Sequence, residues 1–385
     1  MAGYIFSISK DSWAGFCQNE LSKGYFTPYT IEVSEERMSD TKRKSSNKVL
    51  AATFGDMVTM TPGDNIYFLS DRKLYGIGRA IQIGEDCKYD NYLDASALLP
   101  DCRINPADYL TTRSTRARWV FLFVPAPHLF KIGVDMDDVL RYRPSAFKML
   151  RAFEGLTFIK IDDDENRALK EYISLANEGC YGEIDNSVFP FDASVHERLA
   201  SMDLSPYMMD INKALADDEN REYVISEMFI ESALLQSLTF RTQNTFEKCD
   251  YITHQLIASP FKPLTYIDKI DVFGYRFSEH YPDVPKLITK YILVELKKMP
   301  INGKALEQTM QYVDWICHEY ASGDYSKIEA YVVGSRAVRD IERIKEDVCQ
   351  RSFIVSTHPV KSEKWTALHL IKYDITDCVS FERID

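Results

Sequence analysis

The segment 287–297 joins an apolar strand to a charged pair, and it constrains the fold of this chain more than any other segment. Residues 287–296 contain the runs Leu-Ile and Tyr-Ile-Leu-Val, which are typical of a strand. Because side chains alternate along a strand, Glu295 and Lys297 share one face while Val294 and Leu296 take the other. We therefore predict a carboxylate and an ammonium side by side at the end of an otherwise apolar strand.

A second carboxylate is expected beside this pair. Asp271 lies among apolar residues in a strand predicted over 266–273, and the chain between it and Glu295 is long enough for a hairpin. Asp268 is the alternative acid in this region. Two adjacent carboxylates repel each other unless a hard divalent cation neutralises them, and Mg²⁺ (Mn²⁺ can substitute) also accepts a phosphate oxygen and water. With Lys297 to orient the attacking water, the set is suited to hydrolysing a phosphodiester.

Two predicted helices carry further candidates for this site. A helix predicted over 220–238 places Glu227 and Glu231 on one face, and Glu231 is the better candidate because leucines follow at +3 and +7. A helix predicted over 305–320 can place Gln308 over the site. Glu231 and Gln308 are therefore added to Asp271, Glu295 and Lys297 as candidate catalytic residues.

The second half of the chain reads as an α/β domain with a mixed central sheet. Helical and strand-like periodicities alternate there, in the order helix, strands, helix, strand, helix. Strands are predicted over 251–256, 266–273, 287–296, 328–333 and 366–373, and helices over 220–238, 305–320 and 341–349.

The first half contains several short strands separated by tight turns, which favours a small β-barrel with helices. Strands are predicted over 4–9, 65–69, 74–81 and 118–124, a helix over 135–155, and a loop over the polar stretch 34–48. A shift in composition then suggests three parts. Residues 1–160 are predicted to recognise nucleic acid, 161–215 to form a helical connector, and 216–385 to form the catalytic domain.

The charge and the cysteine content limit the range of functions that this chain can have. The net charge of −12 counts against nucleic-acid binding, although a metal-dependent nuclease can be acidic overall and bind DNA through a local basic groove. The eight cysteines form no Cys-x-x-Cys pair, so a structural zinc site is not expected. With no apolar run long enough to span a membrane, we expect a cytoplasmic protein without a membrane partner.

The second half resembles the PD-(D/E)XK nuclease superfamily, with the NucS-like and Shedu-type members closest. An Ile-Asp-Val strand, Glu-Leu-Lys and Gln-x-x-x-Tyr carry the resemblance, which covers roughly 217–335. It implies a restriction-endonuclease-like fold in which Asp271 and Glu295 bind the metal, Lys297 serves the water, and Glu231 and Gln308 support them. Ile270 stands where the family's name has proline, at a position that varies widely.

The first half is similar to PUA-like barrels of the EVE and YTH type. The resemblance rests on Pro-Gly-Asp-Asn-Ile-Tyr-Phe at 62–68 and Tyr-Gly-Ile-Gly at 75–78. It implies binding of RNA or of a modified base in an aromatic pocket. The candidates for stacking on the base are Trp13, Tyr75 and Trp119, and those for holding phosphates are Lys42, Arg43, Lys44, Arg113, Arg116 and Arg118.

These features lead to the hypothesis of a Mg²⁺-dependent DNA endonuclease in prokaryotic anti-phage defence. Its first domain would recognise a modified base or a DNA end. A homo-oligomer, either dimer or tetramer, is expected because each site of such a nuclease cuts one strand. Two alternatives stay open: a non-catalytic nucleic-acid reader with a degenerate nuclease fold, and an RNA-directed nuclease.

Overall fold

The computed structural model describes residues 2–28, 40–91, 119–147, 158–178, 191–216, 225–257, 269–278 and 287–385, with backbone only at 40–47 and 127–132. The chain divides into two compact units, Met1–Asn220 and Arg221–Asp385. Each unit combines helices with its own β-sheet, so the protein is of mixed α/β type. The predicted functional boundaries at 160 and 215 stay a prediction.

The first unit is built on a seven-stranded sheet that curls into a half-barrel. Its strands are β1 (Gly3–Ser7), β2 (Tyr25–Phe26), β3 (Asn65–Ser70), β4 (Lys73–Ala80), β5 (Lys88–Asp90), β6 (Trp119–Asp135) and β7 (Phe158–Ile161). The order is β2-β6-β4-β3-β1-β7, with β5 also on β6. Among the described strand pairs of this sheet, only β1 and β3 run in parallel.

Five α-helices accompany this sheet in the described ranges: α1 (Lys10–Asn19), α2 (Asp40–Val58), α3 (Met136–Tyr142), α4 (Asp163–Ala176) and α5 (Ser194–Ala200). Helix α4 begins with a capping box, in which the Asp162 and Glu165 side chains each accept a backbone N–H of the other residue. Leu169 and Ile173 of α4 join the core of β1 and β3, and Leu199 of α5 packs with Val120. The segment predicted as a connector therefore contributes core residues to the first unit.

Two predictions for the first unit are wrong. Residues 40–48 are helical, not a loop, because Leu50, Phe54 and Met57 are buried at helical spacing and anchor the polar turns before them. The helix predicted over 135–155 ends at Tyr142. Pro144 follows closely, and a proline disfavours helical backbone at the residue before it.

The second unit is built on a mixed sheet, as predicted, and this sheet has six strands. After α6 (Glu227–Phe240), its elements are β8 (Tyr251–Ile257), β9 (Lys269–Phe277), β10 (Ile288–Leu296), α7 (Gly303–Glu319), β11 (Ile328–Gly334), α8 (Ile341–Val348), β12 (Arg351–Thr357), β13 (Val360–Trp365), β14 (Leu368–Ile375) and β15 (Val379–Arg383). The order of the sheet is β15-β14-β11-β10-β9-β8. Strand β11 runs parallel to β10 and β14, and the other pairs are antiparallel.

Two features of the second unit differ from the predictions. Helix α6 begins at Glu227 because the Ser226 side chain caps it by accepting the N–H of Phe229. The hairpin of β12 and β13 was not predicted. Most of its residues are exposed on both faces, so its sequence lacks the alternation that a strand with one buried face shows.

No helix in the described ranges of the chain is both long enough and apolar enough to cross a bilayer.

Candidate active site

Asp271 and Glu295 lie on adjacent antiparallel strands. Strands β9 and β10 pair Val272 with Val294, so the next position along the same register sets Asp271 opposite Glu295. Next to this position, a side-chain hydrogen bond joins the two strands. Oδ2 of Asp271 accepts the backbone N–H of Leu296 at 2.7 Å. A side-chain carboxylate therefore bonds to the residue that separates Glu295 from Lys297.

The Glu295 carboxylate is buried, with 1% of its surface exposed. Its Oε1 accepts a hydrogen bond from Nζ of Lys297, which follows Glu295 by two residues in the chain. Its Oε2 is also buried and has no hydrogen-bond partner in the described part of the chain. An unsatisfied buried acceptor costs about 1–3 kcal/mol, so this oxygen is suited to receiving a ligand.

Glu231 of α6 is equally buried and reaches the end of β8. Its Oε1 lies 2.8 Å from Nδ1 of His254, and its Oε2 accepts from Nε2 of Gln255 at 2.9 Å. The same Gln255 nitrogen is 3.5 Å from Oδ1 of Asp271, at the outer limit of a hydrogen bond. Gln255 therefore lies between the carboxylates of Glu231 and Asp271.

Gln255 has a left-handed backbone, with φ of 54°. For a residue with a Cβ this conformation costs about 1–2 kcal/mol, and such strain is concentrated at functional sites. Neither His254 nor Gln255 was predicted from the sequence to be a site residue. The available signal was their position as a polar pair in an otherwise strand-like run, next to the strand of Asp271.

Burial and mutual repulsion raise the pKa values of the three acids. For Asp271, burial raises the pKa most, and the charges of Glu295 and Glu231 add to it. Burial also raises the pKa of Glu295, although the Lys297 ammonium opposes this. For Glu231, burial outweighs the opposing hydrogen bond from His254. These carboxylates hold protons more tightly than exposed acids do. A positively charged ligand would stabilise their ionised forms.

Lys297 stays charged despite its partial burial. Burial by itself lowers the pKa of an ammonium, but the hydrogen bond to Glu295 and the charges of Glu295 and Asp271 raise it overall. The site therefore has a fixed cation beside two acids.

Gln308 is linked by hydrogen bonds to the strand that carries Asp271, and its described bonds do not include the acids of the site. Its Nε2 donates to the hydroxyl of Tyr312 at 2.8 Å, and that hydroxyl donates to the carbonyl of Lys269 at 3.1 Å. Lys269 begins β9, two residues before Asp271. Among the described contacts, Gln308 thus supports the start of this strand.

The chain just beyond Lys297 is held by several elements. The Lys298 N–H donates to Glu227 of α6 at 3.0 Å. The N–H of Lys297 donates to the Val333 carbonyl at 2.8 Å. A Cβ on Gly334 would lie 2.6 Å from a side-chain carbon of Ile301, so only glycine lets this segment cross the end of β11. These contacts fix the position of Lys297 relative to the sheet.

Asp271 and Glu295 fit a magnesium site of the open kind. Mg²⁺ is commonly held by one or two carboxylates and keeps water or substrate oxygens in its other positions. The unbonded Oε2 of Glu295 and the repelling pair of acids match this donor set. Within the described ranges, no group of three or more His, Cys, Asp or Glu side chains is placed to hold a metal ion. The two-carboxylate set is therefore the candidate.

The structure places the three aromatic candidates of the first unit in two different environments. The rings of Trp13 and Tyr75 lie with centroids 4.7 Å apart, and both are partly exposed. Trp119 is fully buried and packs edge-on against Phe54, so its prediction as a base-stacking residue is corrected: it is a core residue.

Other predicted residues lie beyond what the structure describes. Lys42, Arg43 and Lys44 are in α2, where only the backbone is described. Arg113, Arg116, Arg118 and the alternative acid Asp268 lie outside the described residues.

A scan against protein families finds no match to this chain, and a search of curated proteins finds none either.

Proposed function

We propose that the second unit is a Mg²⁺-dependent DNA endonuclease of the PD-(D/E)XK type. One observation carries the proposal: Asp271 and Glu295 face each other across adjacent strands, with Lys297 bonded to one Glu295 oxygen and the other oxygen unbonded. Two acids and a lysine in this arrangement suit phosphodiester hydrolysis.

Each residue of the site has a distinct role in this proposal. Asp271 and Glu295 would hold Mg²⁺ (or Mn²⁺), which when bound supplies positive charge to the phosphate and acidifies a water molecule. Lys297 would orient the attacking water and offset the charge that develops on the phosphate. Glu231 acts as a positioning residue through Gln255, and Gln308 acts through Tyr312 and the start of β9.

The first unit would recognise the nucleic acid. Its curled half-barrel sheet supports a PUA-like assignment, and the ring pair of Trp13 and Tyr75 supports stacking on a base. A modified base or a DNA end is the proposed target. A role in prokaryotic anti-phage defence, as a dimer or tetramer, is part of the same proposal.

The test is cleavage of linear, circular and base-modified DNA, with matched RNA alongside, in Mg²⁺, in Mn²⁺ and in chelator. The wild-type chain should cut DNA only with a divalent cation, and Glu295→Gln should lose this activity. Glu363→Gln, at an exposed position in β13, is the matched control and should cut normally. Unchanged cleavage by Glu295→Gln would refute the proposal, and cleavage of RNA alone would redirect it to an RNA nuclease.

A second candidate is a non-catalytic nucleic-acid reader with a degenerate nuclease fold. It is favoured by the lack of any group of three potential ligands in the described ranges. Calorimetric titration with Mn²⁺ separates the two candidates. Binding that disappears in Asp271→Asn supports the nuclease, whereas a wild-type chain that binds no divalent cation supports the reader.

A further inference from the structure

Two segments of the second unit are rich in cations, although the chain has a net charge of −12. Residues 297–304 and 336–343 include only two acids, Asp340 and Glu342. Their six cations are Lys297, Lys298, Lys304, Arg336, Arg339 and Arg343. Such a local excess of positive charge points to an anionic partner.

The backbone brings these two segments together. The Ile301 N–H donates to the Arg336 carbonyl at 2.7 Å, and the Val338 N–H donates to the Ile301 carbonyl at 3.2 Å. Ile301 and Ala337 form a parallel bridge. The first segment begins at Lys297, so the cation-rich surface is continuous in the chain with the candidate active site.

Three of the six cations have no partner in the described part of the chain. Lys304, Arg336 and Arg339 are exposed and form neither a hydrogen bond nor an ion pair there. The other three are occupied: Lys297 by Glu295, Lys298 by the carbonyl of Ile225, and Arg343 by Asp340 at 3.6 Å. We call Lys304, Arg336 and Arg339 the basic strip.

We propose that the basic strip binds the phosphate backbone of the nucleic acid and guides a neighbouring phosphodiester to Asp271, Glu295 and Lys297. This inference rests on the proposed nuclease function and extends it by locating the path of the substrate on the second unit. Guanidinium groups bind phosphate oxygens through paired hydrogen bonds. Contacts of this type hold the backbone without reading sequence, so the strip would bind DNA of any sequence.

The test uses the full chain with Glu295→Gln, which prevents cleavage, in Mg²⁺. Binding of a fluorescent DNA duplex is measured by anisotropy at several salt concentrations. Arg336→Ala/Arg339→Ala should weaken binding about tenfold and reduce the slope of log affinity against log salt by about two. Lys361→Ala/Lys364→Ala removes the same charge from exposed positions in β13 and should change neither quantity.

Three results would overturn the proposal for the basic strip. One is binding by Arg336→Ala/Arg339→Ala as tight as that of its parent; the second is an equal loss in the Lys361/Lys364 control, which would indicate overall charge. The third is a preference of the same arginines for a polyglutamate peptide over DNA. Failure of the nuclease proposal appears differently: the wild-type chain would bind DNA through Arg336 and Arg339 and cut nothing.

Discussion

The carboxylate of Asp271 accepts the backbone N–H of Leu296 at 2.7 Å, on the residue between Glu295 and Lys297. At this end of β9 and β10, a side chain and not a backbone carbonyl accepts the N–H that joins the two strands. This bond fixes the distance from the β9 acid to the Glu-Leu-Lys segment. This hydrogen bond favours the charged form of Asp271, whereas burial and the charges of Glu295 and Glu231 oppose that form more strongly.

Asp271→Asn should stabilise the second unit at alkaline pH. Burial and repulsion raise the pKa of Asp271 in the folded state, so the native state binds the proton more tightly than the unfolded state. The free energy of unfolding then falls as pH rises from about 4, the ordinary carboxyl pKa, through the raised pKa. Asparagine removes this loss. The free energy of unfolding of Asp271→Asn, obtained from thermal denaturation, should exceed that of wild type by about 1 kcal/mol at about pH 8, and the gain should shrink at about pH 5.

The control for this comparison is Asp377→Asn, at an exposed position. It should follow wild type at both pH values. A gain for Asp271→Asn that is the same at both values would contradict the electrostatic origin.

Affinity for Mn²⁺ should increase with pH in the neutral range. A cation and protons compete for Asp271 and Glu295, whose pKa values are both raised by burial. Each displaced proton makes the apparent affinity rise up to about tenfold per pH unit until the carboxyls are ionised. Calorimetry at several pH values measures this. An affinity that does not vary with pH would show that the cation binds elsewhere.

Lys297→Met should slow cleavage strongly while keeping metal binding. Methionine retains the aliphatic stem but removes the ammonium that bonds to Glu295. Loss of a group that stabilises transition-state charge costs about 100-fold to 1,000-fold in rate. Single-turnover cleavage and Mn²⁺ titration on the same preparation provide the two readouts. Cleavage within a few-fold of wild type would show that Lys297 has no part in the chemistry.

Gln255→Gly should be more stable than Gln255→Ala. Both variants lose the amide that bonds to Glu231, but only alanine keeps a Cβ on a residue with φ of 54°. The left-handed conformation should make the difference about 1 kcal/mol, measured by urea denaturation. Equal stabilities would mean that the backbone relaxes once the amide is removed.

Trp119→Ala should affect the stability of the first unit, whereas Trp13→Ala should affect nucleic-acid binding. Trp119 is fully buried against Phe54, so its removal should cost about 3–5 kcal/mol of the stability of the first unit. Trp13 is partly exposed beside Tyr75, so its removal should leave the fold intact and weaken nucleic-acid binding by about 1–3 kcal/mol. Thermal unfolding and anisotropy measure the two effects. Unchanged binding by Trp13→Ala would remove the ring pair from the proposed binding surface.

Local patterns predicted much of the second unit because its strands and helices have clear periodicity. The apolar run before Glu295 is β10, and helix α7 buries Leu306, Met310 and Val313 along one face. The hairpin of β12 and β13 was missed because neither of its faces is consistently buried. In the first unit, polar helical turns were predicted as a loop because their anchors lie later in α2.

Sequence alone determined that Glu295 and Lys297 share a face, since alternation along a strand is a local property. It also placed an acid at Asp271 in the preceding strand. Tertiary structure decided which groups surround that acid: Leu296 through its N–H, and Gln255 with Glu231 behind it. It also decided that Trp119 is a core residue. These outcomes depend on strand register, on helix docking and on a left-handed backbone at Gln255, which residues distant in the chain impose and no local pattern encodes.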